Sequence, residues 1–89
     1  MAISAVVKTL REVNAVMEHG DQKYGENAWL DHKPDLEKER RQHIDAMYRH
    51  LLRFLHGEEI DTDSGHPALA HVVARGLMAL EFDQQIRGV

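Results

Sequence analysis

The sequence predicts an all-α fold, a three-helix subunit that completes its core by oligomerisation. Three observations predict it. Apolar residues recur at three- and four-residue steps in three separate stretches. Glycine and proline fall between those stretches. At 89 residues without a cysteine, the chain is short of core volume and has no covalent staple. This length fits one domain, residues 1–89.

The first helix is expected over residues 4–19. Ile3, Val6, Val7, Leu10, Val13 and Met17 make its apolar stripe, Ser4 offers a cap, and Gly20 is a natural C-terminal stop. Residues 20–34 then read as a loop, because Gly20, Gly25, Asn27, Asp31 and Pro34 supply turn chemistry. Tyr24 and Trp29 give that loop aromatic mass with which to pack down.

The second helix is expected over residues 35–56. Asp35, Glu37 and Glu39 suit the positive end of the helix dipole, and Gly57 stops the helix. Its apolar stripe is Ile44, Met47, Tyr48, Leu51, Leu52 and Leu55. A short acidic loop, GEEIDTDSGHP, follows. The third helix is expected over residues 67–86, opened by Pro67 in its first turn. Leu69, Val72, Val73, Leu77 and Leu80 make one face, and Gly76 lets another backbone approach. Ala70, Ala74, Met78 and Phe82 add a second apolar strip. Three helices leave little room to bury both, so that strip is read as a subunit interface of a homo-oligomer.

Composition narrows the partners. A net charge of −4 with mixed signs gives no footprint for duplex nucleic acid. The basic cluster at residues 38–41 is interrupted by Glu39 and reads as a solvated helix face. No stretch approaches the roughly 20 apolar residues that a membrane span requires, and residues 1–7 lack the basic lead of a signal peptide. A cytoplasmic protein is expected, and the missing cysteines suit a reducing compartment.

Polar chemistry gathers in two places. One is the first loop, with Lys23, Tyr24, Asn27 and Trp29. The other runs from the end of the second helix into the third, with Arg49, His50, Glu58, Asp61, Asp63, Ser64, His66 and His71. Glu58, Asp61 and Asp63 are oxygen donors within a short span, and Mg²⁺ needs only one or two carboxylates plus substrate phosphates. A plainly solvated acidic loop is the competing reading. The chain holds seven histidines, yet no H-E-x-x-H or paired Cys/His spacing for zinc. Neither Ser4 nor Ser64 lies in a nucleophile elbow, and no phosphate-binding or dinucleotide glycine motif occurs.

The pattern Lys23-Tyr24-Gly25, Asn27, Trp29, then Arg49-His50, then Gly57-Glu58, Asp61, Ser64-Gly65 and His71 resembles the N-terminal domain family of phage dATP/dGTP diphosphohydrolases. That family is similar to the all-α nucleotide pyrophosphohydrolases of the MazG type. Departures are visible: Ala28 stands between Asn27 and Trp29, and His66 and Ala68 replace an apolar residue and a histidine. The MazG-type enzymes hold metal with E-x-x-E on one helix and E-x-x-D on the next. Residues 58–61 fit E-x-x-D, while Glu37 and Glu39 do not supply E-x-x-E.

The resemblance implies cleavage of a (deoxy)nucleoside triphosphate between its α- and β-phosphates. It implies Mg²⁺ or Mn²⁺ held by Glu58, Asp61 and Asp63, with Glu58, Asp61 and His50 in the catalytic set. Lys23 and Arg49 would then contact phosphates, Trp29 or Tyr24 stack on the base, Asn27 read its edge, and Ser64 and His71 complete the substrate site. For Trp29 the competing role is a plug over the core. For Arg49 it is an ion pair with Asp45, and for Lys23 plain solvent exposure. A module of the same fold that binds nucleotide or protein without hydrolysis is the alternative reading, favoured by the missing E-x-x-E.

Overall fold

The computed structural model describes residues 2–89, and among them the architecture is all-helical, without a named strand. A short 3₁₀ turn, Ile3–Val6, leads into α1 (Val7–Tyr24). A second 3₁₀ turn, Ala28–Leu30, and the helices α2 (Leu36–Leu55) and α3 (Ala68–Arg87) follow. The α3 helix packs against both of the others.

The ends of α2 and α3 fall within a residue or so of expectation, because capping chemistry sets them. Asp35 is the N-cap of α2, its Oδ1 accepting the Lys38 backbone N–H at 3.1 Å. After α2 the chain turns at Gly57, whose φ of +99° a side chain would resist. Pro67 stands at the N-cap of α3 rather than inside its first turn. The Arg40–Asp83 ion pair, at 2.8 Å, ties the start of α2 to the end of α3.

The first helix differs from expectation at both ends. Ser4 lies within the 3₁₀ turn, and no side chain caps α1. At the other end α1 runs through Gly20 and stops at Gly25, which takes φ +104°. A glycine inside a helix costs about 1 kcal/mol against alanine, too little to stop a helix whose flanks are held. Asp21 holds this end: its carbonyl accepts the Gly25 N–H at 2.8 Å, and its Oδ1 accepts the Asn27 N–H at 2.9 Å. Lys23 and Tyr24 are therefore helical residues.

The apolar faces of α3 are also exchanged. Ala70, Ala74 and Phe82, from the strip read as an interface, are buried in the chain's own core with Val13 and Val16 of α1. Met78 of that strip lines an internal cavity. Leu69, Val73, Leu77 and Leu80, the heavier row, face outward at 45–52 % exposure. On α2 the residues turned inward are His43 and Ala46, while Ile44, Tyr48, Leu51, Leu52 and Leu55 are exposed. Small side chains permit this: Met47 Sδ sits 3.3 Å from where a β-carbon on Gly76 would lie, so α2 and α3 are in close contact there.

Candidate functional site

A cavity of about 320 Å³ opens between the three helices, at the lower end of the range for small-molecule sites. The end of α1 supplies His19, Lys23 and Tyr24, and the following turn supplies Trp29. From α2 come His43, His50 and Arg53. The acidic turn gives Asp61 and Asp63, and α3 gives His71 and Arg75. Val16, Met17, Ala74 and Met78 make the apolar part of the wall.

The two polar clusters of the sequence thus meet within one chain. Lys23 Nζ donates to Asp63 Oδ2 at 3.2 Å, and His19 Nε2 lies 3.7 Å from the same oxygen. The hydrogen bond to Asp63 holds the Lys23 ammonium above its ordinary pKa, with Tyr24 adding to the effect. Lys23 is therefore ion-paired rather than merely solvated.

The acidic turn is a built structure. Asp61 Oδ1 accepts the Ser64 backbone N–H at 2.9 Å, its own N–H donates to the His66 carbonyl at 2.9 Å, and its carbonyl accepts the Gly65 N–H at 2.7 Å. An isolated bridge pairs Ile60 with Pro67. Asp61 is 8 % exposed. Burial by itself raises its pKa, but the Ser64 hydrogen bonds and the adjacent His71 outweigh that and hold it below the usual carboxylate range.

Two histidines stand over this turn. The His50 and His71 rings stack at 4.6 Å, and the Ser64 hydroxyl pairs with His71 Nε2 at 2.6 Å. His50 Nδ1 lies 3.9 Å from Asp61 Oδ2, too far for a hydrogen bond, and is buried without a partner. Burial, with His71 alongside, pushes the His50 pKa down to about 4, so at neutral pH its ring is uncharged. Burial lowers His71 as well, against the opposing pull of Asp61. His19 Nε2 is a second buried nitrogen without a hydrogen-bond partner.

Deeper in the cavity His43, Trp29 and Phe82 form an aromatic cluster. His43 stacks flat on Phe82 at 5.6 Å, and Trp29 meets both rings edge-on. Trp29 accordingly packs as a wall over the core, whereas Tyr24 is 70 % exposed at the rim. His43 Nδ1 pairs with Arg75 Nη1 at 3.0 Å. Arg75 is half-buried, and burial lowers its pKa from the usual arginine value.

Four expected residues lie off the cavity wall, Ser64 among them, which reaches it only through His71. Glu58 is exposed and 4.0 Å from Arg53. Arg49 is exposed, and Asp45, its expected partner, pairs with Arg41 at 3.1 Å instead. Asn27 is exposed in the left-handed region at φ 54°. His19, His43 and Arg75 were not among the candidates. Arg75 carried a readable signal: on a mostly apolar helix, none of the residues three or four away (His71, Val72, Met78 and Ala79) offers it a carboxylate.

Among the described residues no three His, Asp or Glu side chains converge as a ready-made ligand set. Asp61 and Asp63 nevertheless line one cavity. Such a pair fits Mg²⁺ that arrives with a triphosphate and completes its shell with phosphate and water. It does not fit a resident all-protein cage.

The sequence model of the family described as "dATP/dGTP diphosphohydrolase, N-terminal" matches residues 2–89. No curated protein and no solved structure matches the chain.

Proposed function

The chain belongs to the dATP/dGTP diphosphohydrolase N-terminal family, and from that premise we propose that it hydrolyses deoxynucleoside triphosphates in the cavity between its helices, between the α- and β-phosphates. The observation that carries this reading is the meeting of Lys23 with Asp63 beside Asp61, His50 and His71 on one cavity wall. A similar all-α arrangement in the MazG-type pyrophosphohydrolases is part of the proposal.

In this reading Asp61 and Asp63 hold the Mg²⁺ or Mn²⁺ that comes with the nucleotide. The chemistry that the metal supplies when bound is neutralisation of phosphate charge and activation of a water. Lys23 exchanges Asp63 for a phosphate oxygen. Tyr24, exposed at the rim, offers its ring to the base, and Trp29 closes the wall behind it. His50, uncharged at neutral pH, would accept a hydrogen bond from water at its unpartnered Nδ1 once a bound nucleotide and metal draw Asp61 away from it. With a pKa near 4 it orients that water and is a weak proton acceptor. His71 holds Ser64 and so the turn that presents Asp61.

The proposal includes a homo-oligomer, supported by the outward rows of Leu69, Val73, Leu77 and Leu80 on α3 and Leu51, Leu52 and Leu55 on α2. Partly exposed apolar rows of this kind are what a second copy buries.

One observation favours a second reading, a nucleotide-binding module without turnover. Glu58 stands away from the cavity, and among the described residues no third ligand joins Asp61 and Asp63. Pyrophosphate release from dATP, dGTP, dCTP and dTTP with Mg²⁺ separates the two. Release abolished by chelator and by Asp63→Asn is expected for the hydrolase. Binding of nucleotide with no release would establish the module. Neither binding nor release with any of the four would end both readings.

A further inference from the structure

Three cations line the cavity, and two are matched by acid. Lys23 has Asp63 at 3.2 Å, and Arg53 has Glu58 at 4.0 Å. Arg75 is the third, and among the described residues it has no carboxylate within ion-pair distance. One N–H of its guanidinium goes to His43 Nδ1, a neutral acceptor. Among the described residues the remaining guanidinium donors have no protein acceptor, and none of them is sealed from solvent, so they are free to take an incoming ligand. A guanidinium fork matches the paired oxygens of a phosphate group, and its planar donors suit a site with a fixed approach.

The surroundings of His43 fix that approach. The imidazole is 6 % exposed, lies flat on Phe82 and meets Trp29 edge-on, so its ring has little freedom to turn. With Nδ1 directed to Arg75, the ring sets where the guanidinium sits on the cavity wall.

We propose that Arg75 is the cavity's receptor for the phosphate chain of a nucleotide, and that His43 is the positioning residue that aims its guanidinium. The choice of a phosphate chain rests on the function proposed above, but the test does not require hydrolysis. Arg75 stands on α3 with His71, and Lys23 on α1, so a phosphate chain in this cavity is gripped from two helices.

The test is calorimetric titration with inorganic tripolyphosphate, with dATP and dGTP, and with deoxyadenosine as the uncharged control. Wild type is expected to bind tripolyphosphate and both nucleotides. Arg75→Gln should weaken all three by about tenfold or more, the usual loss for a hydrogen-bonded charge, and leave deoxyadenosine unchanged. The same substitution should leave Tm close to wild type, because within the described chain Arg75 makes one hydrogen bond and no ion pair. An arginine with a purely structural role would instead lower Tm when replaced. Arg75→Lys, which keeps charge but loses the fork, should lie between wild type and Arg75→Gln, and it reads the affinity if the glutamine variant does not fold. His43→Phe should weaken tripolyphosphate several-fold, and His43→Gln, which restores an acceptor, should recover part of the loss.

Nucleotides binding more tightly than tripolyphosphate would add a base contact to the site, and equal affinity would leave the phosphates as the whole of recognition; Arg75 keeps its role in both. Wild type that ignores tripolyphosphate, or Arg75→Gln that binds it as wild type does, overturns the proposal. Should Arg75-dependent binding appear without pyrophosphate release, the receptor stands and only the hydrolase reading falls.

Discussion

Acid should cost this protein stability through His43 from about pH 6.5 downward. Burial, reinforced by Arg75 and Lys33, pushes the His43 pKa from 6.5 down to about 4. Between those values the unfolded chain takes up a proton that the folded chain refuses. Stability is therefore fully present above about pH 6.5 and falls as pH falls towards 4. The gap spans about 2.5 pH units, and at 1.36 kcal/mol per unit it is worth about 3 kcal/mol. That is a large share of the roughly 5–15 kcal/mol that holds an ordinary domain together.

His50 is pushed to about 4 as well and acts in the same sense, and His71 adds to it. Near pH 5 His43 and His50 each contribute a slope of roughly 1 kcal/mol per pH unit. His43→Gln should remove one proton's worth of that slope and leave the rest. Its absolute stability drops at every pH through lost packing on Phe82, so the slope is the informative quantity. Urea unfolding at steps from pH 4.5 to 7.5, on both proteins, measures it. An unchanged slope in the variant, or a wild type more stable at pH 5 than at pH 7, would refute the reasoning.

Other substitutions test the helices and the assembly. Asp35→Ala removes the cap on the Lys38 N–H and should lower the unfolding free energy by about 1 kcal/mol in urea. Gly20→Ala and Gly25→Ala should have opposite signs in the same assay. At Gly20, inside α1 with nothing within 4 Å of a β-carbon, alanine should stabilise by up to about 1 kcal/mol. At Gly25, with φ +104°, it should destabilise by about 1–2 kcal/mol through backbone strain rather than a clash. Leu77→Glu, on the outward row of α3, should dissociate the proposed oligomer and leave helix content intact by circular dichroism. A wild type that is monomeric by light scattering would dispose of that expectation.

What could be read from the chain depended on whether a residue acts through its neighbours in sequence or in space. Gly57 after α2 is a local device and was legible, and Asp35 and Pro67 marked the starts of α2 and α3 to within a residue although each stands just outside its helix as the N-cap. The end of α1 was not legible, because two glycines compete for it. The winner is decided by Asp21, whose carboxylate and carbonyl together tie down Gly25 and Asn27. Among the candidate residues, Lys23, Tyr24, Trp29, His50, Asp61, Asp63 and His71 line the cavity, whereas Asn27, Arg49, Glu58 and Ser64 do not. Arg49 and His50 adjoin in sequence, but successive residues of a helix point about 100° apart, and in α2 His50 faces inward while Arg49 faces solvent. For α3 the stripe rule failed outright, since it assigns the largest apolar side chains to the core of the same chain.

That failure has a physical source. Among the described residues five of the eight buried apolar side chains are alanine (Ala46, Ala68, Ala70, Ala74 and Ala79), each burying a methyl worth about 0.8 kcal/mol. The space that larger side chains would have filled holds a cavity with Arg75, His43, His50 and Asp61 on its wall, and each of these is costly to desolvate. In the proposed assembly the outward leucines of α2 and α3 recover the apolar burial that this polar interior forgoes. The proposed site and the proposed assembly are therefore coupled. Filling the cavity with apolar bulk, as in an Arg75→Met variant, should make folding less dependent on protein concentration while removing ligand binding. A variant that binds tripolyphosphate as before, or whose Tm tracks concentration as steeply as wild type, would separate the two.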